Sequence, residues 1–90
     1  MKDQTNYVYM LLCSDNTLYT GWTNDLEGRL RAHNAGIGSK YTKTRLPVKL
    51  VYSEAAASKS DALKKEIQIK KLSRKKKLEF INNQSGVSKP

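Results

Sequence analysis

The side chains in this chain with the clearest chemical capacity are two phenols near its start. Tyr7-Val8-Tyr9 and Tyr19-Thr20-Gly21 set Tyr9 and Tyr19 ten residues apart, with Ser14-Asp15-Asn16-Thr17 between them. That segment reads as a tight turn joining two short apolar runs, so antiparallel pairing brings both hydroxyls to one end of a small sheet. A phenol titrates near pH 10 and is a weak base at neutral pH unless nearby cations lower that value. Arg29 offers such a cation, in a fixed fork suited to a phosphate whose negative charge grows in a transition state. At about 100° per residue His33 falls one turn after Arg29 on the same helix flank. Gly21 has no side chain, which permits close approach of a phosphate or a sharp exit from the strand. In isolation, two strand tyrosines with surface hydroxyls, a solvated arginine and a structural histidine are each the commoner reading.

Glu66 stands out on a helical wheel. With Ala62 at 0° and about 100° per residue, Ile69 falls near −20°, Glu66 near 40°, Leu63 near 100° and Ile67 near 140°. Lys64, Lys65, Gln68 and Lys71 fall on the other side, so a carboxylate points into an apolar arc. Burying an unpaired charge costs several kcal/mol, and Glu66 therefore needs a partner. Lys70, at the favourable i,i+4 spacing, is one candidate, and a divalent cation at a partly open sheet edge is the other. A lone carboxylate suits Mg²⁺ or Mn²⁺, which keep most of their waters and are completed by a substrate phosphate. With no second inward acidic residue, a two-metal site is not expected.

These residues, together with Asp25-Leu26-Glu27-Gly28-Arg29-Leu30-Arg31-Ala32-His33-Asn34 and Ala62-Leu63-Lys64-Lys65-Glu66, resemble the GIY-YIG nuclease family from about Tyr7 to Leu72. The likeness is greatest to its small stand-alone, single-domain members. Tyr7 stands where the family name has its first glycine, and Thr20 replaces the isoleucine of the second tripeptide. The resemblance implies Tyr9 as general base, Tyr19 as holder of the water or phosphate, and Arg29 on the phosphate. It also implies His33 hydrogen-bonded near Tyr9 and Glu66 as metal ligand. The implied activity is metal-dependent endonucleolytic hydrolysis of DNA, in a repair or recombination setting, with one Mg²⁺ or Mn²⁺ as cofactor. The alternative is a catalytically weak nucleic-acid-binding module of the same fold.

The elements that must position these groups follow from the pattern. Residues 7–13 and 17–22 read as a hairpin. Asn24 caps a helix with Glu27 completing a capping box, and Gly36 stops it. Residues 36–46 read as a basic, structure-poor loop. Val48, Leu50 and Tyr52 alternate inward on a third strand, with Tyr52 as core and Trp22 as core or sheet cover. Ser58 or Ser60 caps a second helix running to about Leu72, and Ser73 opens a third through Ile81. The expected fold is α+β, in the order β-β-α-β-α-α: a small three-stranded antiparallel sheet with helices packed on it. Residues 1–82 form one domain, and residues 83–90 a disordered polar tail.

Seventeen Lys and Arg against eight Asp and Glu give a net charge of +9, which points to a polyanionic partner, nucleic acid first. Lys40, Tyr41, Lys43 and Arg45 in the loop could clamp a phosphodiester backbone, with Tyr41 stacking on a base. Lys70, Lys71, Arg74, Lys75, Lys76 and Lys77 could extend that track. No base-reading element stands out, so binding is expected to be largely sequence-independent. Cys13 is the single cysteine and lies in an apolar strand, which excludes an internal disulfide and a cysteine-based zinc site. With no run near the ~18 apolar residues of a membrane span, a cytoplasmic protein with no membrane partner is expected.

Overall fold

A computed structural model describes residues 5–85. The elements are β1 (Asn6–Leu12), β2 (Leu18–Thr23), α1 (Leu26–Asn34), α2 (Lys40–Lys43), β3 (Lys49–Ala56), α3 (Lys59–Lys70) and α4 (Arg74–Ser85). The strands form one antiparallel sheet in the order β2-β1-β3. The expected architecture is present, with one added turn of helix, α2, between α1 and β3.

β1 is the central strand, and its period-two alternation feeds two cores. Val8 and Met10 join Tyr52 and the α3 residues Ala62 and Ile69, with Trp22, Phe80 and Ile81 packed around them. Tyr9, Leu11, Cys13 and Val48 form the second cluster, covered by Leu26 and Leu30 of α1 and by Leu46. Val8 through Leu11 are all at most 2% exposed, as a strand sandwiched between helices on both faces must be.

The β1–β2 turn closes through Cys13 N–H to Thr17 O at 2.9 Å, with Asn16 at a φ of 71°. Asp15 accepts from the Thr17 backbone at 3.1 Å, an Asx turn that fixes the hairpin register. This register sets Tyr9 opposite Gly21 and Leu11 opposite Tyr19.

Three details differ from expectation, and the cap of α3 agrees with it. Asp25, not Asn24, caps α1, its carboxylate accepting from Gly28 N at 3.1 Å. The basic loop is not structureless, because the Ser39 hydroxyl caps α2 by accepting from Thr42 N. Ser58 does cap α3, which ends at Lys70. α4 runs on to Ser85, past Ile81 and through the first three residues of the expected tail (83–90), of which residues 86–90 lie outside the described residues.

Val48, Leu50 and Tyr52 do not share a face. The β1–β3 register slips between Met10, opposite Tyr52, and Leu11, opposite Leu50. The extra residue, Val51, inverts the alternation, so Val48 joins the α1-side cluster and Tyr52 the α3-side cluster. Leu50 is left 39% exposed.

Candidate active site

The site lies on the α1 face of the sheet, where β1, β2 and α1 meet. Tyr9 is buried beside Gly21, and a Cβ there would fall 2.7 Å from the phenol oxygen and 3.2 Å from a Tyr19 ring carbon. The missing side chain is therefore space for Tyr9 itself. The Tyr9 oxygen lies 2.9 Å from His33 Nε2. His33 meets both tyrosines edge-on, with ring centroids 6.0 Å from Tyr9 and 5.2 Å from Tyr19. One turn of α1 separates His33 from Arg29, so the helix presents both groups to the Tyr9 phenol.

His33 is fully buried, where the wheel placed it only on a flank. The segment after Gly36 folds back over it. Gly38 presses against the ring so closely that a Cβ would lie 2.7 Å from the His33 backbone Cα. Beyond it, Thr42 Oγ1 comes within 2.8 Å of His33 Nδ1. The same segment steadies Arg29, whose Nη2 donates to Gly38 O at 3.1 Å. The Arg29 Nε–H is buried and has no partner among the described residues.

Burial pushes the Tyr9 phenol above its ordinary value; Arg29 opposes that rise, and Tyr19 and Glu66 add to it. The expectation that surrounding cations lower it on balance is not met, because desolvation outweighs the guanidinium. His33 shifts the other way, downward, through burial first and then the charge of Arg29. At neutral pH the pair is a protonated phenol beside a neutral imidazole.

Glu66 points inward as the wheel placed it, its side chain 15% exposed, and Oε2 meets Lys70 Nζ at 3.1 Å. The lysine partner is thus realised. Ile67, expected on the same apolar arc, is 55% exposed, so the buried stripe of α3 is narrower than the wheel suggests. The described residues contain no cluster of three or more His, Cys, Asp or Glu able to cage a metal. The donor set on offer is one carboxylate near a phenol, which fits only a well-hydrated hard cation completed by a phosphate.

Of the basic residues, Lys70 and Lys77 line a cleft of about 250 Å³ with Leu18, Tyr19, Thr20 and Tyr41. Tyr41 stacks on Tyr19 at 6.0 Å and carries the Arg45 guanidinium 3.9 Å above its ring. Arg45 also bonds Asp15 at 2.9 Å and Tyr41 O at 2.7 Å, which makes it a clasp between α2 and the hairpin turn. Arg74 is occupied likewise, donating to Asn16 O at 2.6 Å. Lys40, Lys43, Lys71, Lys75 and Lys76 are exposed. Sequence reasoning missed Gly38, Ser39 and Thr42. The available signal was the N-cap pattern Ser39-Lys40-Tyr41-Thr42, obscured by its basic neighbours.

The model of the GIY-YIG catalytic domain matches residues 5–79. A UPF0213 protein of Clostridium perfringens is 56% identical over 80 residues, 89% of this chain and 86% of that protein. A second, from Syntrophus aciditrophicus, is 61% identical over 77 residues, covering 84% of this chain and 88% of that protein. Among solved structures, the UPF0213 protein BH0048 of Bacillus halodurans superposes with a TM-score of 0.60 at 41% identity, covering 91% of this chain and 87% of that one. The protein EF2693 of E. faecalis gives 0.64 at 34% identity, covering 99% and 97%.

Proposed function

The chain belongs to the GIY-YIG catalytic domain family, a family of nucleases, and from that premise we propose that it hydrolyses phosphodiester bonds in DNA with the help of one Mg²⁺ or Mn²⁺. One observation carries the reading. The Tyr9 hydroxyl lies 2.9 Å from a buried neutral histidine, beside an arginine with a buried, unpartnered Nε–H. That combination offers a proton acceptor and an anion donor at one point.

With its value raised, Tyr9 is protonated at rest, so it acts as a base only after passing its proton to His33 Nε2. The phenolate then takes a proton from water, the water oxygen bonds to phosphorus, and the bond to the 3′-oxygen breaks, that oxygen taking a proton from solvent. Arg29 holds a non-bridging oxygen, and Tyr19 orients the water or phosphate. Glu66 would hold the cation, which when bound would supply charge stabilisation at the phosphate and the leaving oxygen. Lys70 and Lys77, beside Tyr19, hold the strand. The setting proposed is the cytosol, in DNA repair or recombination.

A panel of duplex, branched and single-stranded DNA, with and without Mn²⁺, tests this: cleavage is expected only with the metal, and Glu66→Ala should remove it while DNA retention persists. Metal-independent cleavage, or an unaffected Glu66→Ala, overturns the assignment. The Glu66–Lys70 pair favours a second reading, a binding module whose carboxylate is permanently neutralised. Lys70→Ala separates the two. If the lysine only occupies the cation position, Mn²⁺ should raise the Tm of Lys70→Ala more than that of the wild type. No Mn²⁺ effect on either protein supports the binding module.

A further inference from the structure

We propose that Thr42 is a positioning residue for His33 and, with Ser39, forms the exit for the Tyr9 proton. The inference deepens the nuclease reading, but its geometry stands apart from it. Four polar groups from three elements form one chain: Tyr9 Oη to His33 Nε2 at 2.9 Å, His33 Nδ1 to Thr42 Oγ1 at 2.8 Å, and Thr42 Oγ1 to Ser39 Oγ at 2.9 Å. His33 and Thr42 are fully buried, whereas Ser39 is half-exposed, so the chain runs from the site toward water.

Proton bookkeeping sets its direction at rest. The Tyr9 hydroxyl needs an acceptor, and among the described residues His33 Nε2 is the one at hydrogen-bonding distance. A bare Nε2 puts the ring proton on Nδ1, which donates to Thr42 Oγ1. Of the two acceptors within reach of the Thr42 hydroxyl, Ser39 Oγ at 2.9 Å and Ser39 O at 3.4 Å, we assign its proton to the nearer, Ser39 Oγ, which also accepts the Thr42 backbone N–H at 3.1 Å. Every group is satisfied, and the Ser39 proton is left for solvent.

The same chain answers where the Tyr9 proton goes. If it stopped on His33 it would create an imidazolium buried beside Arg29. The side chains facing the ring are Tyr9, Tyr19, Arg29 and Thr42, none of them a carboxylate, and the charge of Glu66 is felt by Tyr9 and not by the ring. Passing it on avoids that charge. As the Tyr9 O–H bond breaks, an Nε2–H bond forms. Nδ1–H breaks as a new Thr42 O–H forms, the original Thr42 proton moves to Ser39, and the Ser39 proton leaves to water. One proton exits, His33 stays neutral with its tautomer inverted, and Nε2–H now donates to the phenolate.

His33 is the sole histidine in the chain, so ¹⁵N-histidine NMR reads one ring without ambiguity. Near pH 7.5 the wild type should show the Nδ1–H tautomer. Thr42→Val, which removes the acceptor, should move the ring toward Nε2–H, and Thr42→Ser should restore the wild-type pattern. An Nε2–H ring in the wild type, or an unchanged tautomer in Thr42→Val, overturns the proposal. Should Thr42→Val fail to fold, the wild-type and Thr42→Ser tautomers still decide it. Where cleavage is measurable, Thr42→Val should slow it roughly tenfold or more, part of the 10²–10⁴ that a positioned proton acceptor supplies, with DNA affinity unchanged and Thr42→Ser active. A wild type that shows the Nδ1–H tautomer but no cleavage would defeat the nuclease reading and leave the positioning role standing.

Discussion

The two faces of β1 are built from adjacent residues and do opposite things. On the α3 face, Val8 and Met10 meet Ala62 and Ile69 in apolar contact, and the buried tyrosine there, Tyr52, donates a hydrogen bond to the carboxylate of Glu54. On the α1 face, Tyr9 and Leu11 cluster with Cys13 and Val48, and the Tyr9 phenol meets a neutral imidazole whose other nitrogen is held by a threonine. Burial, aided by the Glu54 hydrogen bond and charge, raises the Tyr52 phenol strongly and fixes its proton in place. Burial also raises Tyr9, but there a nearby arginine opposes the rise and the partner is a group that can take a proton. The contrast teaches that a buried tyrosine becomes chemically useful through what its hydroxyl touches, not through burial. The period of a single strand is enough to separate a holding face from a working face.

The sharpest way to break the comparison is to damage each face once. Ile69→Ala on the α3 side should cost about 2–5 kcal/mol of stability while leaving the rate per folded molecule near wild type. Tyr9→Phe on the α1 side should remove about 10²–10⁴ in cleavage rate. Its stability cost should be only about 1–3 kcal/mol, from the His33 nitrogen left without a donor. Chemical denaturation paired with single-turnover cleavage checks both. A Tyr9→Phe variant with wild-type rate across pH 6–9 would remove Tyr9 as the base.

The working face was only partly legible in the sequence, for a physical reason. Tyr9, Tyr19, Arg29 and Glu66 sit in regular elements, where periodicity places a side chain on a face before any contact is known. Glu66 fell inward on the wheel and is nearly buried, although which partner it takes could not be read from angle alone. The misses come from irregular backbone. The bulge at Val51 separates Val48 from Tyr52, and a strict alternation cannot contain it. Gly38, Ser39 and Thr42 reach His33 because the chain turns back after Gly36, and no period encodes a fold-back. Lysine-rich composition made that segment look like a phosphate clamp, whereas Arg45 is spent on Asp15 and Tyr41.

The buried imidazole gives a second, smaller test. The folded value of His33 lies below its ordinary value near 6.5, so the unfolded chain binds the extra proton first as pH falls. The His33 contribution to stability is therefore fully present above about pH 6.5 and declines below it toward the lowered folded value, at no more than about 1.4 kcal/mol per pH unit. Urea denaturation between pH 7.5 and 5 should show this decline in the wild type and lose it in His33→Asn. Equal slopes would mean that the ring takes up its proton in the folded state as readily as in the unfolded one, contrary to its place beside Arg29.

The smallest effect concerns the lysines, where the same contrast between placed and merely present groups applies. Lys77 lines the cleft beside Tyr19 and Tyr41, whereas Lys75 and Lys76 are exposed on the same helix, Lys76 with Glu79 at 3.8 Å. A lysine that touches phosphate releases a counterion and contributes about one unit to the slope of log affinity against log salt; one that faces water contributes nothing. Lys77→Ala should therefore flatten the slope on duplex DNA by about 0.9, and Lys75→Ala with Lys76→Ala should change it by much less. Fluorescence anisotropy titrations across 50–200 mM salt resolve the difference. Equal flattening from all three would extend the strand's path along α4. No flattening from Lys77→Ala would move the nucleic acid out of the cleft, leaving Tyr19 without the backbone contacts that bring a phosphate to it.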